Sequence, residues 1–275
     1  MKFDKLNPLD TILNALVLPY QKRVEDVIKI NEKMIEKGLI NKQSDIINDH
    51  IAFRTLGVPH LGINSLEKVF LHYGYKKMSF YHFKNKKLDA YWYAPPSSYY
   101  PRIFVSELRV KDLSTKAQNI IQKYTKHLNQ DPVDALELDN ASEVGAFFQK
   151  PLWDIPTIED YTYLSEESEY AAWVIYNRYY LNHYTISVHE LSNGYNRLET
   201  FNTFLESIGI VLNSSGGVIK TSKDGLLKQS SSIAKMVEAT FANGEKLKIA
   251  GSYIEFAERL VLSEYQDLPK SEIKA

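Results

Sequence analysis

Cysteine is absent from the sequence, which excludes disulfide bonds, thiolate metal sites and cysteine nucleophiles. Histidine, aspartate and glutamate are the residue types left to carry metal or acid-base chemistry. An excess of charge of one sign is missing as well, because 33 lysines and arginines balance 34 aspartates and glutamates. Without an overall field, neither nucleic acid nor an anionic membrane is expected as a partner.

Long apolar runs are also missing, since nowhere do about 18 uncharged apolar residues follow one another. The first residues lack the apolar stretch of a secretion signal, and we expect a cytoplasmic protein. The glycine motifs of dinucleotide-binding folds, P-loop proteins and α/β-hydrolases do not occur either. The remaining composition, 44% hydrophobic and 24% charged in 275 residues, is that of an ordinary folded protein.

Some segments space their apolar residues as a helix does and others as a strand does. The same succession of helical and strand segments occurs twice along the chain. Residues 49–112 begin with alternation, continue with a short amphipathic helix and end with three strand-like runs, a β-α-β-β-β order. Residues 182–260 repeat this order, with Ile249 to Phe256 as the predicted last strand. We predict a helical cap in 1–48, a largely helical connection in 113–181, with a helix from Ile158 to Tyr180, and a tail in 261–275.

These patterns predict an α+β fold in a single domain, residues 1–275. Two β-α-β-β-β modules would pair side by side into a central, partly open β-barrel or sheet, with extra helices at the N-terminus and between the modules. Equivalent strands of the two modules then meet at the centre, where side chains from matching depths can converge.

Four candidate metal ligands occupy matching places in the two modules. The first strand of each module holds a histidine, His50 or His183, and the last strand holds a glutamate, Glu107 or Glu255. Imidazole and carboxylate groups suit Fe(II), Mn(II), Zn(II) or Ni(II). Two histidines and one carboxylate on one face of a metal leave other positions open, and non-haem Fe(II) enzymes use these to bind a chelating substrate and dioxygen together.

Each of these residues also has a structural interpretation. A single strand histidine is commonly a hydrogen-bonded structural residue. Glu255 could pair with Arg259, and Glu107 could pair with Arg109, in ion pairs that need no metal. His189 lies on the same predicted strand face as the second histidine and is a reserve ligand.

Arg54 is a candidate for binding the substrate. It lies four residues beyond His50 and points to the same side of the predicted strand, about 13 Å farther along. A guanidinium at that reach would bind the far carboxylate of an acid of defined length. The alternative is a surface salt bridge to Asp49 or Glu67.

Four separated runs of residues carry a resemblance to a known family. The runs are Asp49-His50-Ile51-Ala52-Phe53-Arg54-Thr55, Pro101-Arg102-Ile103-Phe104-Val105-Ser106-Glu107-Leu108, Asn182-His183-Tyr184-Thr185 and Gly251-Ser252-Tyr253-Ile254-Glu255-Phe256-Ala257-Glu258-Arg259. In this order they resemble the 2-oxoadipate dioxygenase/decarboxylase family, also called hydroxyglutarate synthase, a branch of the vicinal oxygen chelate superfamily.

The resemblance implies that His50, His183 and Glu255 are the ligands of Fe(II). It also implies that Arg54 binds a substrate carboxylate, while Glu107 matches a motif position and is a candidate for supporting the ligands without binding the metal. The implied activity is that of an Fe(II)-dependent dioxygenase and decarboxylase. Such an enzyme uses O2 to convert a 2-oxo diacid, 2-oxoadipate, into 2-hydroxyglutarate and CO2.

Two other functions fit the same scaffold. One is a non-redox Zn(II) or Ni(II) metalloenzyme of glyoxalase type, an isomerase, lyase or hydrolase, in which Glu107 joins the other three residues as a fourth ligand. The other is a metal-free module that binds a small molecule. A fourth protein ligand would leave too few positions for a chelating substrate and O2, so the place of Glu107 bears on the choice.

Overall fold

Ten strands form two sheets in the part of the chain that the computed structural model describes, which is Phe3, residues 7–192 and residues 194–260. The strands are β1 (Asn48–Leu56), β2 (Lys76–Phe83), β3 (Leu88–Ala94), β4 (Arg102–Leu108), β5 (His183–Ser187), β6 (Lys220–Thr221), β7 (Leu227–Ser231), β8 (Met236–Thr240), β9 (Lys246–Ala250) and β10 (Tyr253–Arg259). The predicted tail, 261–275, lies outside the described residues.

Helices precede the strands and connect them. They are α1 (Pro8–Arg23), α2 (Glu25–Glu36), α3 (Ile63–His72), α4 (Thr115–Thr125), α5 (Ala141–Phe147), α6 (Ile158–Glu167), α7 (Glu169–Asn177) and α8 (Leu198–Ser207). The first two lie in the N-terminal segment, and α4 to α7 lie between the two groups of strands. Among the described residues, no helix is both long and apolar enough to cross a membrane.

The large sheet has eight strands in the order β2-β3-β4-β1-β5-β10-β7-β6. β1 and β5 are antiparallel neighbours at its centre, while β4 runs parallel to β1 and β10 runs parallel to β5. Each half of the sheet therefore contains one β-α-β-β-β module, and the first strands of the two modules meet. This arrangement confirms the predicted α+β fold of two modules in a partly open sheet.

The second module contains a hairpin that the sequence pattern did not indicate. β8 and β9 form a separate two-stranded sheet between β7 and β10. The predicted strand from Ile249 to Phe256 is therefore wrong, because the chain leaves β9 at Ala250 and enters β10 at Tyr253. Gly251 lies at the turn and donates its N–H to the carbonyl of Lys235 at 3.0 Å. Apolar residues alternate on both sides of this turn, so the period alone does not locate it.

The predicted helix from Ile158 to Tyr180 is two helices, α6 and α7, because the backbone of Ser168 is extended at φ −154° and ψ 101°. The Ser168 hydroxyl accepts the N–H of Ala171 at 3.2 Å and so caps α7. After this break, α7 packs on β1. It brings the rings of Tyr170 and Trp173 to the side of the sheet on which Arg54 lies.

Side-chain alternation in β1 separates the core from the site. Ile51 and Phe53 are fully buried, and the Phe53 ring packs 5.4 Å from that of Phe70 in α3. This apolar packing holds a helix against one face of the sheet. His50 and Arg54 lie on the opposite face, which is left for functional groups.

Candidate metal centre

Three side chains converge at the centre of the sheet: His50 on β1, His183 on β5 and Glu255 on β10. Each offers one ligand atom, and these atoms all lie within 4.8 Å of one another. Nε2 of either histidine is 3.6 Å from the same oxygen, Oε2 of Glu255. The sheet order explains the convergence, because β1, β5 and β10 are consecutive strands.

Each histidine is oriented by the residue directly before it. Nδ1 of His50 is 2.8 Å from Oδ1 of Asp49, and Nδ1 of His183 is 2.8 Å from Oδ1 of Asn182. These oxygens can only accept, so this hydrogen-bond pattern assigns the proton to Nδ1 of both rings. Nε2 of each ring then points towards Glu255, and the donor set of two imidazoles and one carboxylate fits a divalent metal ion.

Asp49 is a fully buried charge that a bidentate partner neutralises. Nε and Nη2 of Arg259 donate to its two oxygens at 2.5 Å and 2.8 Å. Burial alone would raise the pKa of the Asp49 carboxyl, but the hydrogen bonds from Arg259 and His50 hold it far below its ordinary value. The predicted alternative, an ion pair between Arg259 and Glu255, is therefore wrong, because the Arg259 side chain is engaged by Asp49.

The electrostatics of the cluster favour a protonated His50, an ionised Glu255 and a neutral His183. Burial opposes protonation of His50, but its hydrogen bonds to Asp49 and Glu255 raise its pKa to about 9. Burial also opposes ionisation of Glu255, yet the neighbouring histidines lower its pKa to about 2. Burial lowers the pKa of His183 to about 4, which leaves that imidazole neutral at physiological pH. An ionised carboxylate beside a neutral imidazole is the state that binds a metal ion, so a metal ion bound here would displace the proton that Asp49 and Glu255 stabilise on His50.

Polar neighbours complete the surroundings of the three side chains. Nε2 of Gln229 donates to Oε2 of Glu255 at 3.1 Å, and the hydroxyl of Thr185 lies 3.1 Å from Nε2 of His50. The ring of Tyr253 stacks on that of His183, with centroids 4.8 Å apart and planes 26° apart. These contacts fix the positions of Glu255 and His183 before any ligand arrives.

A cavity of about 490 Å³ extends from His183 along the sheet. Its walls include residues of β1, β4 and β10 and of the junction between α6 and α7; those used below are Arg54, Phe104, Ser106, Tyr170 and Tyr253. Such a volume lies in the range of small-molecule sites.

Arg54 has no carboxylate at ion-pair distance within the described part of the chain. The guanidinium carbon instead lies 5.0 Å from the ring centroid of Tyr170 and 5.2 Å from that of Trp173. Both partners considered from the sequence are engaged elsewhere, Asp49 by Arg259 and Glu67 by Lys77 at 2.8 Å. A cation without a counter-charge that lines a cavity is suited to binding an anion.

Glu107 does not lie with the histidines. Its Oε2 accepts the N–H of Ile63 at 2.7 Å, on the side of the sheet that α3 covers. Arg109 does not pair with it either, because the Arg109 guanidinium pairs with Asp89 and Asp112 at 2.9 Å and 2.6 Å. The four-ligand centre and the supporting role for Glu107 are thus both unsupported by the geometry.

The predicted register of the two modules was wrong by three residues. Glu258, rather than Glu255, matches Glu107, since it accepts the N–H of Leu198 at 2.7 Å, at the start of α8. The residue that matches Glu255 is Phe104. Three positions along a strand lead to the opposite face, which is why one glutamate caps a helix and the other faces the histidines.

His189, the reserve ligand, is absent from the cluster in the described residues. β5 ends at Ser187, and residues 188–190 form a 3₁₀ turn that takes His189 off the strand face. Its Nδ1 accepts the N–H of Arg259 at 3.2 Å.

Sequence reasoning considered Asp49 only as a salt-bridge partner of Arg54 and assigned no role to Asn182, Tyr170 or Trp173. A signal for the first two was present, because each candidate histidine directly follows a residue whose side-chain oxygen can accept from a ring nitrogen. For Tyr170 and Trp173 the local sequence contains no such signal, since their role depends on where α7 packs.

Comparison with known proteins shows the family. The model of the 2-oxoadipate dioxygenase/decarboxylase family matches residues 12–272. The chain belongs to this family. A chloroplastic 2-oxoadipate dioxygenase/decarboxylase of Arabidopsis thaliana is 45% identical over 237 residues, which are 82% of this chain and 62% of the relative. The chain thus spans less than two thirds of the length of that relative.

Solved structures agree with the family assignment. The hydroxyglutarate synthase of Oryza sativa, crystallised in complex with 2-oxoadipate, is 39% identical and superimposes with a TM-score of 0.85 over 99% of this chain and 88% of that one. A protein of Ralstonia eutropha described as belonging to the glyoxalase superfamily is 20% identical, with a TM-score of 0.71 over 90% of this chain and 81% of that one. The latter likeness concerns the fold alone, and it agrees with the predicted vicinal oxygen chelate architecture. The cytoplasmic location stays a prediction, because the Arabidopsis relative is chloroplastic by name.

Proposed function

We propose that this protein is an Fe(II)-dependent dioxygenase that decarboxylates a 2-oxo diacid, converting 2-oxoadipate and O2 into 2-hydroxyglutarate and CO2. The observation that carries the proposal is the convergence of His50, His183 and Glu255 within 4.8 Å beside a cavity lined by Arg54, which has no ion-pair partner among the described residues. Family membership supports it, as does the 2-oxoadipate bound to the rice relative.

His50, His183 and Glu255 would hold the ferrous ion through two nitrogens and one oxygen. When bound, Fe(II) supplies positions at which the 2-oxo acid, through its carboxylate and keto oxygen, and O2 can meet. Phe104 occupies the place in the first module that corresponds to Glu255, so no fourth side chain from that position closes the centre. An open centre is what this reaction requires.

Arg54 would bind the far carboxylate of the substrate. Its guanidinium lies in the same cavity as His183, whose walls also include Glu167 and Glu169, and no carboxylate of the described residues lies at ion-pair distance from it. Binding at both ends orients the substrate between the metal and the arginine, and a misplacement of about 1 Å costs on the order of 100-fold in rate. This arrangement favours a diacid over a 2-oxo acid with an apolar end.

The remaining residues keep the ligands in place. Asp49 and Asn182 hold Nδ1 of the two histidines, so each ring presents Nε2 to the centre. Phe104 and the stacked ring of Tyr253 line the cavity beside them with apolar surface. Such a wall limits access of water to the reacting atoms.

The test is oxygen consumption by protein purified without air, loaded with Fe(II) and then given 2-oxoadipate in air. We expect one CO2 and one 2-hydroxyglutarate per O2, with both atoms of ¹⁸O₂ in the 2-hydroxyglutarate. His50→Ala should abolish turnover and ferrous binding. His72→Ala, which removes a histidine paired with Asp139 outside the cluster, is the matched control and should retain both. No oxygen uptake with any 2-oxo diacid of five to seven carbons would contradict the proposal.

A further inference from the structure

The helical connection between the modules contributes side chains to the candidate site. Tyr170 lines the cavity, and Trp173 lies three residues farther along α7, on the same side of the helix. Both rings face the guanidinium of Arg54, which neither the sequence of β1 nor the pairing of the two modules would indicate. The connection is therefore part of the site as well as a link between its halves.

The two rings hold the guanidinium of Arg54 from α7. Its carbon lies 5.0 Å from one centroid and 5.2 Å from the other, inside the range of cation–π attraction. Tyr253 lines the same cavity, and its ring stacks on that of His183. Arg54 is thus held by two aromatic rings of α7 in a cavity whose opposite end is formed by the rings of Tyr253 and His183.

The rings that hold Arg54 are themselves anchored to the sheet. The hydroxyl of Tyr170 accepts the N–H of Thr55 at 3.1 Å and donates to the carbonyl of Ser106 at 2.7 Å, which ties it to β1 and β4. Nε1 of Trp173 donates to the carbonyl of Gly251 at 3.2 Å, two residues before β10 begins. The two rings therefore fix the guanidinium relative to the strands that carry the metal ligands.

The anchoring has a consequence for substrate length. An arginine side chain has several rotatable bonds, and an unrestrained one can follow carboxylates at different distances with little loss. A restrained guanidinium matches one distance from the metal ligands, so a substrate shorter or longer by one methylene must leave one end imperfectly bound.

We infer that Tyr170 and Trp173 are positioning residues that set the chain length of the 2-oxo diacid by fixing Arg54 relative to His50, His183 and Glu255. This inference rests on the proposed function, because it needs Arg54 to bind the far carboxylate. It adds to that function a determinant of specificity on the helical connection.

The experiment compares 2-oxoglutarate, 2-oxoadipate and 2-oxopimelate, which differ by one methylene each. We expect the wild-type protein to prefer one of them by about tenfold or more in kcat/KM, since a methylene is worth about 10-fold to 200-fold at a selective site. Trp173→Leu should reduce this preference at least threefold, through KM more than through kcat, and Trp173→Phe, which restores an aromatic face, should recover most of it. Anaerobic titration of the Mn(II)-loaded protein with the same acids should give the same order of dissociation constants.

Two further variants distinguish a specific loss of substrate preference from a general disruption of the fold. Tyr170→Phe keeps the ring and removes only its anchor, and it should reduce the preference less than Trp173→Leu. Tyr176→Phe, on the same helix but bonded to the carbonyl of Thr240 outside the cavity, is the matched control and should leave the preference unchanged. A preference that persists in both Trp173→Leu and Tyr170→Phe would overturn the inference and leave the proposed function intact, as would a wild-type protein that uses all three acids equally. A wild-type protein that turns over none of them would overturn the proposed function and this inference with it.

Discussion

The two modules present their histidines in the same way but surround them differently. In each, a histidine near the start of the first strand is held at Nδ1 by the preceding residue, at 2.8 Å in both cases. The first module uses a buried carboxylate, Asp49, and the second uses a neutral amide, Asn182. The comparison teaches that a frame with approximate twofold symmetry becomes an asymmetric centre through a few side chains.

The modules also agree on a helix cap that serves no metal. Glu107 accepts the first N–H of α3, and Glu258 accepts the first N–H of α8, each at 2.7 Å. A carboxylate at a helix N-terminus satisfies an N–H group that lacks an intrahelical partner and favours the helix dipole. The modules differ in the residue that precedes the capped helix, which is Gly62 before α3 and Arg197 before α8.

The largest expected effect on turnover comes from changing the residues at the matching positions of β4 and β10. Glu255→Gln should lose metal binding and reduce turnover to background, because it replaces the only carboxylate in the cluster of described residues. Phe104→Glu should keep metal binding but also abolish turnover, because a fourth ligand closes a position that substrate or O2 needs. Calorimetric metal titration and oxygen uptake measure the two effects. Unchanged turnover in Phe104→Glu would break the proposed equivalence of Phe104 and Glu255.

A smaller effect should follow when the first module is made to resemble the second. Asp49→Asn keeps the shape but removes the charge between His50 and Arg259, and we expect metal affinity to fall by about 10-fold to 100-fold. Asn182→Ala, which removes a neutral contact to His183, should cost less. Mn(II) affinity measured by electron paramagnetic resonance checks both, on protein shown to be folded by its unfolding curve. Equal losses in the two variants would mean that the charge of Asp49 is not what distinguishes the modules.

The helix caps should respond more weakly and only in stability. Gly62 has φ 89° and ψ −168°, and a Cβ there would lie 2.2 Å from Oε2 of Glu107. Gly62→Ala should therefore lower the free energy of unfolding by about 1–3 kcal/mol from backbone strain, with the close contact adding to it. Arg197→Ala, in the second module, removes the ion-pair partner of Glu258, whose carboxylate is buried although the arginine is largely exposed, and should cost about 1–3 kcal/mol because one buried oxygen loses its partner. Urea unfolding measures both, and an unchanged free energy of unfolding in either variant would contradict the role given to that cap.

The smallest effect should be the pH dependence of the contribution that Glu107, the cap of α3, makes to the free energy of unfolding. Burial raises the pKa of Glu107 in spite of the N–H that it accepts from Ile63. A carboxyl whose pKa is higher in the folded protein than in the unfolded chain binds its proton more tightly when folded, so its contribution to stability falls as the pH rises above the ordinary glutamate value. Glu107→Gln should therefore gain stability relative to the wild type as the pH rises from 4 towards 7. Unfolding curves at several pH values test this, and a relative gain towards low pH would contradict it.

Local periodicity predicted the strand faces well and the partners of the ligands poorly. Alternation placed His50 and Arg54 on one side of β1, and the structure has them there, one in the cluster and one in the cavity. The bond between Asp49 and His50 escaped prediction because the register between β1 and β5 shifts between Asn48 and Ile51. Strict alternation assigns neighbouring residues to opposite faces, and an irregular register relaxes that rule.

The glutamates show the same limit on a larger scale. Both candidate glutamates follow a strand pattern, and counting from either module could not decide which lies at the depth of the histidines. The second module contains the additional hairpin of β8 and β9 before β10. The number of residues between its first and last strands therefore differs from that of the first module, and the two modules cannot be aligned by counting. Helix contacts had to be known before Glu107 and Glu258 could be recognised as equivalent.

By itself the sequence determined the types of donor that this protein can use, the faces on which the strand residues lie and the family to which the chain belongs. Those properties are local, because they depend on residue chemistry and on a period of two along a strand. Only the tertiary structure decided that Phe104 of β4 takes the place that matches Glu255 of β10, and that α7 reaches Arg54. These placements depend on pairing between segments more than 100 residues apart, from β1 at Asn48 to β10 at Arg259, which no local pattern encodes.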